Sequence, residues 1–237
     1  MKVPADAMVL AAGLGRRMLP LTETRPKPLV AVAGKTLLDR ALDLLAGEGV
    51  GRAVINLHYL ADQVERHVAA HPPKLDIAFS DERGLLLETG GGIAQALPLL
   101  RSDPFLALNA DNLWAGNRPA AARLAAAWDD ARMDALLLLV PREQAHCHQG
   151  RGDFDRLPSG ELRRRPQQGE AAHVYTGLQM LSKRLFDGVK AEPFSMNRLW
   201  DRAAAAGRLH GALYDGQWFD VGTAAAVRQA ERILGRR

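Results

Sequence analysis

The stretch Leu10-Ala11-Ala12-Gly13-Leu14-Gly15-Arg16-Arg17-Met18-Leu19-Pro20-Leu21-Thr22, followed by Arg25-Pro26-Lys27-Pro28-Leu29-Val30, decides the fold. Met8 to Ala12 is apolar and reads as a buried strand that breaks at Gly13. Two glycines just after a strand let backbone N–H groups approach a phosphate chain, because no Cβ stands in the way. Arg17 and Lys27 follow closely enough to clamp its negative charge. Two other phosphate motifs fail on spacing. A dinucleotide fingerprint needs a third glycine where Met18 stands, and Gly34-Lys35-Thr36 lacks the first P-loop glycine because position 29 is Leu. Taken alone, the same residues also suit a glycine turn with two solvated cations.

Outward from this strand, Ala53 to Leu57, Ile77 to Ser80 and Phe105 to Asn109 are further strand-like runs. Between them, Leu37, Leu38, Ala41, Leu44 and Leu45 mark one helix face that Gly47 and Gly49 stop, and Leu60 to Ala70 forms a helix ended before Pro72. Alternating strands and helices imply right-handed crossovers. The predicted fold is therefore α/β, a Rossmann-like, mostly parallel central sheet with helices on both faces. Beyond Val140 the pattern loosens into a small β or lid annex, with a strand over Val174 to Leu181 and a helix over Met196 to Ala206. A short strand near Trp218 precedes a last helix, Ala224 to Leu234, with Thr223 as N-cap.

The chain has 237 residues, 47% hydrophobic and 24% charged, which suits one large globular domain. Its 31 Lys and Arg against 27 Asp and Glu leave +4, spread along the chain, an excess that suits an anionic small molecule. Cys147 is the only cysteine, which excludes an intrachain disulfide and a cysteine-based zinc site. His146-Cys147-His148 is set aside as a metal motif, because Cys147 is the lone cysteine and successive residues of a strand face opposite ways. The longest strongly apolar run, Ala135 to Val140, is far short of the roughly 18 residues that cross a bilayer, and no leader pattern precedes Arg16. No membrane is expected and the cytoplasm is the expected location. Trp114, Trp128, Trp200 and Trp218 are scattered rather than arranged as a base-stacking platform, so no nucleic-acid partner is expected.

Leu10 to Met18 with Pro26-Lys27-Pro28-Leu29 closely resembles the signature of the sugar-1-phosphate nucleotidyltransferases. Leu87-Glu88-Thr89-Gly90-Gly91-Gly92-Ile93, Asn109-Ala110-Asp111, Gly150-Arg151-Gly152-Asp153-Phe154, Tyr175-Thr176-Gly177-Leu178 and Trp218-Phe219-Asp220-Val221-Gly222-Thr223 follow in that family's order. The triple glycine and the Gly-Arg-Gly-Asp-Phe element are most similar to members that join UTP to N-acetylmuramate 1-phosphate in cell-wall recycling. The resemblance implies one domain over 1–237: a nucleotide-binding core over 1–140, a sugar-binding or lid portion over 141–222 and a C-terminal helix over 223–237. It implies Mg²⁺ as cofactor, UTP and a sugar 1-phosphate as small-molecule partners, and a monomer or homodimer. A guanylyl-, thymidylyl- or cytidylyltransferase acting on another phosphorylated acceptor is the alternative within the class. A catalytically silent nucleotide-binding module is the alternative outside it.

The attacking sugar phosphate is already an anion, so such a transfer needs positioning and charge neutralisation rather than a general base. The expected catalytic residues are Arg17, Lys27 and Asp111. Nucleotide contacts are expected from Leu10, Ala11, Ala12, Gly13, Gly15, Arg17, Lys27, Glu88, Gly90 and Gly91. A uracil edge offers two acceptors flanking one donor, which glycine amides and one carboxylate complement. The same segment also reads as a helix start with Thr89 as N-cap. Asp111 ends a strand, at the carboxyl edge where open α/β sheets bind ligands. The resemblance pairs it with Asp220 as the metal carboxylates. Asn109, Asp153, Arg165, Thr176 and Gly177 are expected at the sugar phosphate. Arg164-Arg165-Pro166 stands where many relatives carry Glu-Lys-Pro, so that Arg165 substitutes for the lysine, the Arg163 to Arg165 cluster meets an acidic sugar, or the cluster is a solvated basic loop.

Overall fold

A computed structural model describes residues 1–116 and 118–235. Its strands are β1 (Asp6–Leu10), β2 (Ala31–Val32), β3 (Lys35–Thr36), β4 (Arg52–Leu57), β5 (Asp76–Asp81), β6 (Phe105–Asn109) and β7 (Asn112–Ala115), then β8 (Ala135–Pro141), β9 (Ala145–His146), β10 (Phe154–Arg156), β11 (Leu162–Arg164), β12 (His173–Leu181), β13 (Leu209–Leu213) and β14 (Gln217–Asp220). The helices are α1 (Leu37–Gly47), α2 (Ala61–Ala70), α3 (Glu88–Ala96), α4 (Ala120–Ala127), α5 (Asn197–Ala205) and α6 (Ala224–Leu234). Residues 236 and 237 of the expected C-terminal helix lie outside the described residues.

In the nine-stranded main sheet, β5, β4, β1 and β6 run parallel, and β12 joins β6 antiparallel. Successive side chains of a strand face opposite sides, so Ala7, Val9 and Ile55 pack on one layer while Met8 and Val54 pack on the other. The first layer includes Leu38 and Leu45 of α1, Val64 of α2 and Leu124 of α4; the second includes Ile93 of α3 and Leu199 and Trp200 of α5. Strands covered on both faces read as unbroken apolar runs rather than as alternating ones. A third cluster, with Met18, Phe219 and Val227, seats α6 against a separate ribbon of β7, β14 and β9.

Element ends depart slightly from expectation. The first strand closes at Leu10 rather than Ala12, because the N–H groups of Ala11 and Ala12 leave the ladder and donate to the Asn56 carboxamide oxygen (2.6 and 3.2 Å). The cap of α6 is as expected, Thr223 Oγ1 accepting from Ala226 N–H at 3.1 Å. Thr89 is not a cap: α3 begins at Glu88, and the Thr89 hydroxyl accepts from Met196 N–H at 2.9 Å instead. Strands β12 and β13, from the second portion of the chain, pair with β6 and β8 of the first, so both portions share one sheet.

Candidate active site

At the carboxyl end of β1 the chain turns through Gly13 to Arg17 around a cavity of about 420 Å³ lined by Leu10, Gly13, Gly15, Arg17, Lys27 and Asp111. Nothing lies within 4 Å of a Cβ built on Gly13, so that glycine leaves the cavity open. Gly15 has another reason: it is left-handed (φ 64°), its carbonyl accepts from the Thr22 hydroxyl at 2.8 Å, and a Cβ there would stand 2.9 Å from Thr22 Cγ2. Lys27, only 9% exposed, reaches the same cavity and forms an ion pair with Asp111 Oδ2. Ala11 lines this cavity and Ala12 an adjoining one, while their N–H groups donate to Asn56 and fix the loop.

Asn56 and Glu82, both 2% exposed, were not singled out in the sequence. Asn56 Nδ2 donates to Glu82 Oε1 at 2.7 Å, and Glu82 Oε2 accepts from Leu87 N–H at 3.0 Å. The pair thus ties the phosphate loop to the segment entering α3. Burial pushes the Glu82 carboxyl up, against the lowering effect of the bonds from Leu87 and Asn56. An isolated Asn and Glu some 26 residues apart leave no spacing signal; only their burial exposes the role.

Asp111 follows β6, and Asp220 ends β14. The antiparallel register places Asp220 opposite Asn112, the residue after Asp111, and Arg17 borders both the cavity that Asp111 lines and the one that Asp220 lines. Each is about a third exposed, at 30% of its side chain. Asp111 Oδ1 accepts from Asn112 Nδ2 at 3.1 Å; Asp220 Oδ1 accepts from Gly222 N–H at 3.1 Å and Oδ2 from His148 Nδ1 at 3.0 Å. Burial works to raise the Asp220 carboxyl, but bonds from His148 and Gly222 and the charge of Arg17 outweigh it and hold it low. Among the described residues no group of three or more His, Cys, Asp or Glu surrounds a cation position. Two hard carboxylates with open coordination suit Mg²⁺, which takes one or two carboxylates and completes its shell with phosphate oxygens and water.

An adjoining cavity of about 380 Å³ shares Leu10, Gly13 and Asp111 with the first and adds Glu88, Thr89, Asn109 and Asn56. Glu88 borders it from a left-handed conformation, φ 59°, a strained state for a residue with a Cβ. Gly90 and Gly91 are placed otherwise than expected: their N–H groups donate to Phe194 O at 2.9 and 3.2 Å. A Cβ on Gly90 would overlap the Phe194 ring, and one on Gly91 the Glu192 carbonyl. These glycines therefore allow close packing of α3, and their amides are not free to read a base.

On the other side of Asp111 the sheet forks. Strand β12 pairs with β8 along one edge, while its other edge takes β10 at His173 and β6 from Leu178 onward. Between them, from Tyr175 to Gln179, the pairing of β12 with β8 shifts register. Gly177 (φ 86°) lies so close to Asn112 and Asn109 that a Cβ would collide with the Asn112 amide. Thr176 does not face the fork: it is fully buried, its hydroxyl donating to Leu138 O at 3.0 Å. The fork opens a cavity of about 270 Å³ lined by Asp153, Phe154, Arg164, Arg165, Tyr175 and Trp200. Asp153 Oδ2 accepts from Tyr175 N–H at 2.9 Å. Burial, with the charges of Asp111 and Asp153, pushes the Tyr175 hydroxyl well above the usual phenol range, so it stays a neutral donor. Arg165 is not a free cation. Its Nε donates to Gly152 O and its Nη1 to the carbonyls of Pro166, Gln167 and Gly169, closing the loop at the cavity rim. Arg164 likewise binds Asp201 and Asn197, while Arg163 is exposed.

Comparison with known proteins agrees with this arrangement. The family model described as nucleotidyl transferase matches residues 6–236. An N-acetylmuramate alpha-1-phosphate uridylyltransferase of Caulobacter vibrioides is 43% identical over 98% of both chains. One from Neisseria meningitidis serogroup B is 36% identical over 97% of this chain and 98% of its own. The fold is similar to that of HddC from Yersinia pseudotuberculosis complexed with GMP-PN, with a TM-score of 0.77 at 21% identity over 97% of this chain and 99% of that one. With this carboxyl-edge site and a family match over nearly its whole length, the chain belongs to the nucleotidyl transferase family and is a nucleotidyltransferase.

Proposed function

We propose that the protein transfers a uridylyl group from UTP to N-acetylmuramate 1-phosphate, with Mg²⁺ held by Asp111 and Asp220. The observation that carries this reading is that Arg17, Lys27 and Asp111 line one cavity, with Asp220 beside Arg17, in a chain whose full-length relatives bear that activity in their names. An acceptor phosphate oxygen attacks the α-phosphorus of UTP in line. The new P–O bond forms as the bond to the bridging oxygen breaks, and the electron pair departs with pyrophosphate. Lys27, held in a buried position by Asp111, presents its ammonium to the phosphates where solvent screening is weak. Arg17, beside Gly222, neutralises charge on the leaving side. When bound, Mg²⁺ supplies further charge neutralisation and an anchor for phosphate oxygens. The acceptor sugar occupies the fork beside Tyr175 and Asp153, and Glu88 and Asn109 border the nucleoside.

Pyrophosphate release with Mg²⁺ over a grid of UTP, GTP, dTTP, CTP and ATP against the 1-phosphates of N-acetylmuramate, N-acetylglucosamine, glucose and mannose tests the reading. A dominant signal for UTP with N-acetylmuramate 1-phosphate is expected. A dominant signal for another pair refutes the base or acceptor assignment, and silence in a protein that binds nucleotide refutes both.

A further inference from the structure

We infer that His148 is a positioning residue that holds Asp220 in the orientation in which it binds the divalent cation; this rests on the reading of Asp111 and Asp220 as the metal carboxylates. The ribbon that ends at Asp220 has β14 at its centre, β7 along one edge and β9 along the other. Strand β9 is parallel to β14, with His146 opposite Phe219, so the chain leaving β9 runs toward Asp220. There it turns sharply. Cys147 is left-handed (φ 64°) and His148 N–H donates back to Ala145 O at 3.3 Å. The turn swings the His148 ring over the end of β14, against Trp218 (ring centroids 6.3 Å apart) and onto Asp220 Oδ2.

The ring is enclosed. Its side chain is only 15% exposed, Nε2 is buried without a partner among the described residues, and a Cβ on Gly150 would overlap that nitrogen. Because the partner is a carboxylate, Nδ1 carries the proton and donates. With Gly222 N–H on Oδ1 and His148 on Oδ2, each oxygen of Asp220 has one fixed donor and one lone pair left for a cation. A site with only two protein carboxylates depends heavily on their being held in place. Loss of such an outer hydrogen bond typically costs about 10- to 100-fold in metal affinity.

The test uses His148→Ala, His148→Asn, Asp220→Asn and the double variant H148A/D220N, each checked for folding by circular dichroism and thermal melting. Mn²⁺ alone is titrated into each protein and followed by loss of the free-ion EPR signal; Mg²⁺ dependence of pyrophosphate release is measured in parallel. His148→Ala should weaken Mn²⁺ binding and raise half-saturating Mg²⁺ by about 10- to 100-fold, with kcat at saturating Mg²⁺ falling less than about threefold. His148→Asn, whose Nδ2–H lies near the position of the histidine Nδ1–H, should restore most of the loss. Removing His148 on top of D220N should add nothing further. Unchanged metal dependence in H148A, or no rescue by Asn, overturns the inference. Should H148A fail to fold, a folded H148N with wild-type metal binding supports the inference and one with weakened binding overturns it. An Asp220→Asn protein with wild-type metal response overturns the underlying metal reading instead.

Discussion

Replacing Asn56 by Ala breaks the Asn56–Glu82 tie between the glycine loop and the segment entering α3, and its cost can be worked from the contacts. Two backbone donors, the N–H groups of Ala11 and Ala12, and one oxygen of Glu82 lose their partner in a site that is 2% exposed. Leaving a buried polar group unsatisfied costs about 1–3 kcal/mol. Three such groups, relieved in part by water entering the space, give about 3–5 kcal/mol. That is a large share of the roughly 5–15 kcal/mol by which a domain is stable. At about 2–4 °C per kcal/mol for a chain of this size, the melting temperature should fall by about 6–20 °C. Because Asn56 also borders the cavity proposed for the nucleoside, KM for UTP should rise by about tenfold, equivalent to about 1.4 kcal/mol of lost binding. Urea denaturation with an unchanged m-value, paired with initial rates, measures both. Asn56→Asp keeps the acceptor for Ala11 and Ala12 but sets a second carboxylate against Glu82. Their shared proton raises the pair's apparent pKa, so this variant should regain stability as pH falls and lose it as pH rises through that value. A loss below about 1 kcal/mol in Asn56→Ala, or an N56D variant indifferent to pH, would refute the reasoning.

Lys27→Ala and Asp111→Asn should each lower kcat/KM by at least about a hundredfold in folded protein, since both remove charge from the reacting centre; near-normal steady-state rates would remove them from it. Gly91→Ala should cost about 1–3 kcal/mol in urea denaturation, because its Cβ overlaps the Glu192 backbone, whereas Gly13→Ala, facing open space, should fold normally and raise KM for UTP. The reverse pattern would exchange their roles. His210 is 1% exposed, and burial, joined by the Arg132 charge, lowers its pKa below the ordinary 6.5. The unfolded chain therefore binds the proton first, so stability should hold above about pH 6.5 and fall as pH drops below it. Urea midpoints at pH 7.5 and 5.5 should show a decline that shrinks in His210→Leu; an equal decline in both would refute the assignment.

How much of this was legible beforehand varied by residue. Gly13, Gly15, Arg17 and Lys27 lie within one contiguous stretch, and the cavity that they line keeps that order. Gly90 and Gly91 read as base contacts because a glycine's amide looks equally available in any loop; the carbonyl of Phe194, about a hundred residues away, takes both. Arg165 read as a phosphate cation for the same reason, before the carbonyls of its own loop were seen to surround it. His148 was set aside with its neighbours as a metal motif because Cys147 is a lone cysteine and successive strand residues face opposite ways, and its partner lies 72 residues further on.

By itself, the sequence determined the alternation of strands and helices, the cap at Thr223, the glycine loop after β1 and the family, because these depend on local periodicity, local backbone freedom and a contiguous motif. The tertiary structure alone decided that Asp220 lies opposite Asn112 across the β7–β14 register, that β12 shifts register around Gly177 near a cavity lined by Asp153 and Tyr175, and that Asn56 and Glu82 brace the loop. Those features arise from strand pairing and burial between distant segments. A hydrogen bond between residues so far apart leaves no periodic trace along the chain, and the free energy that enforces it exists only once the interior has excluded water.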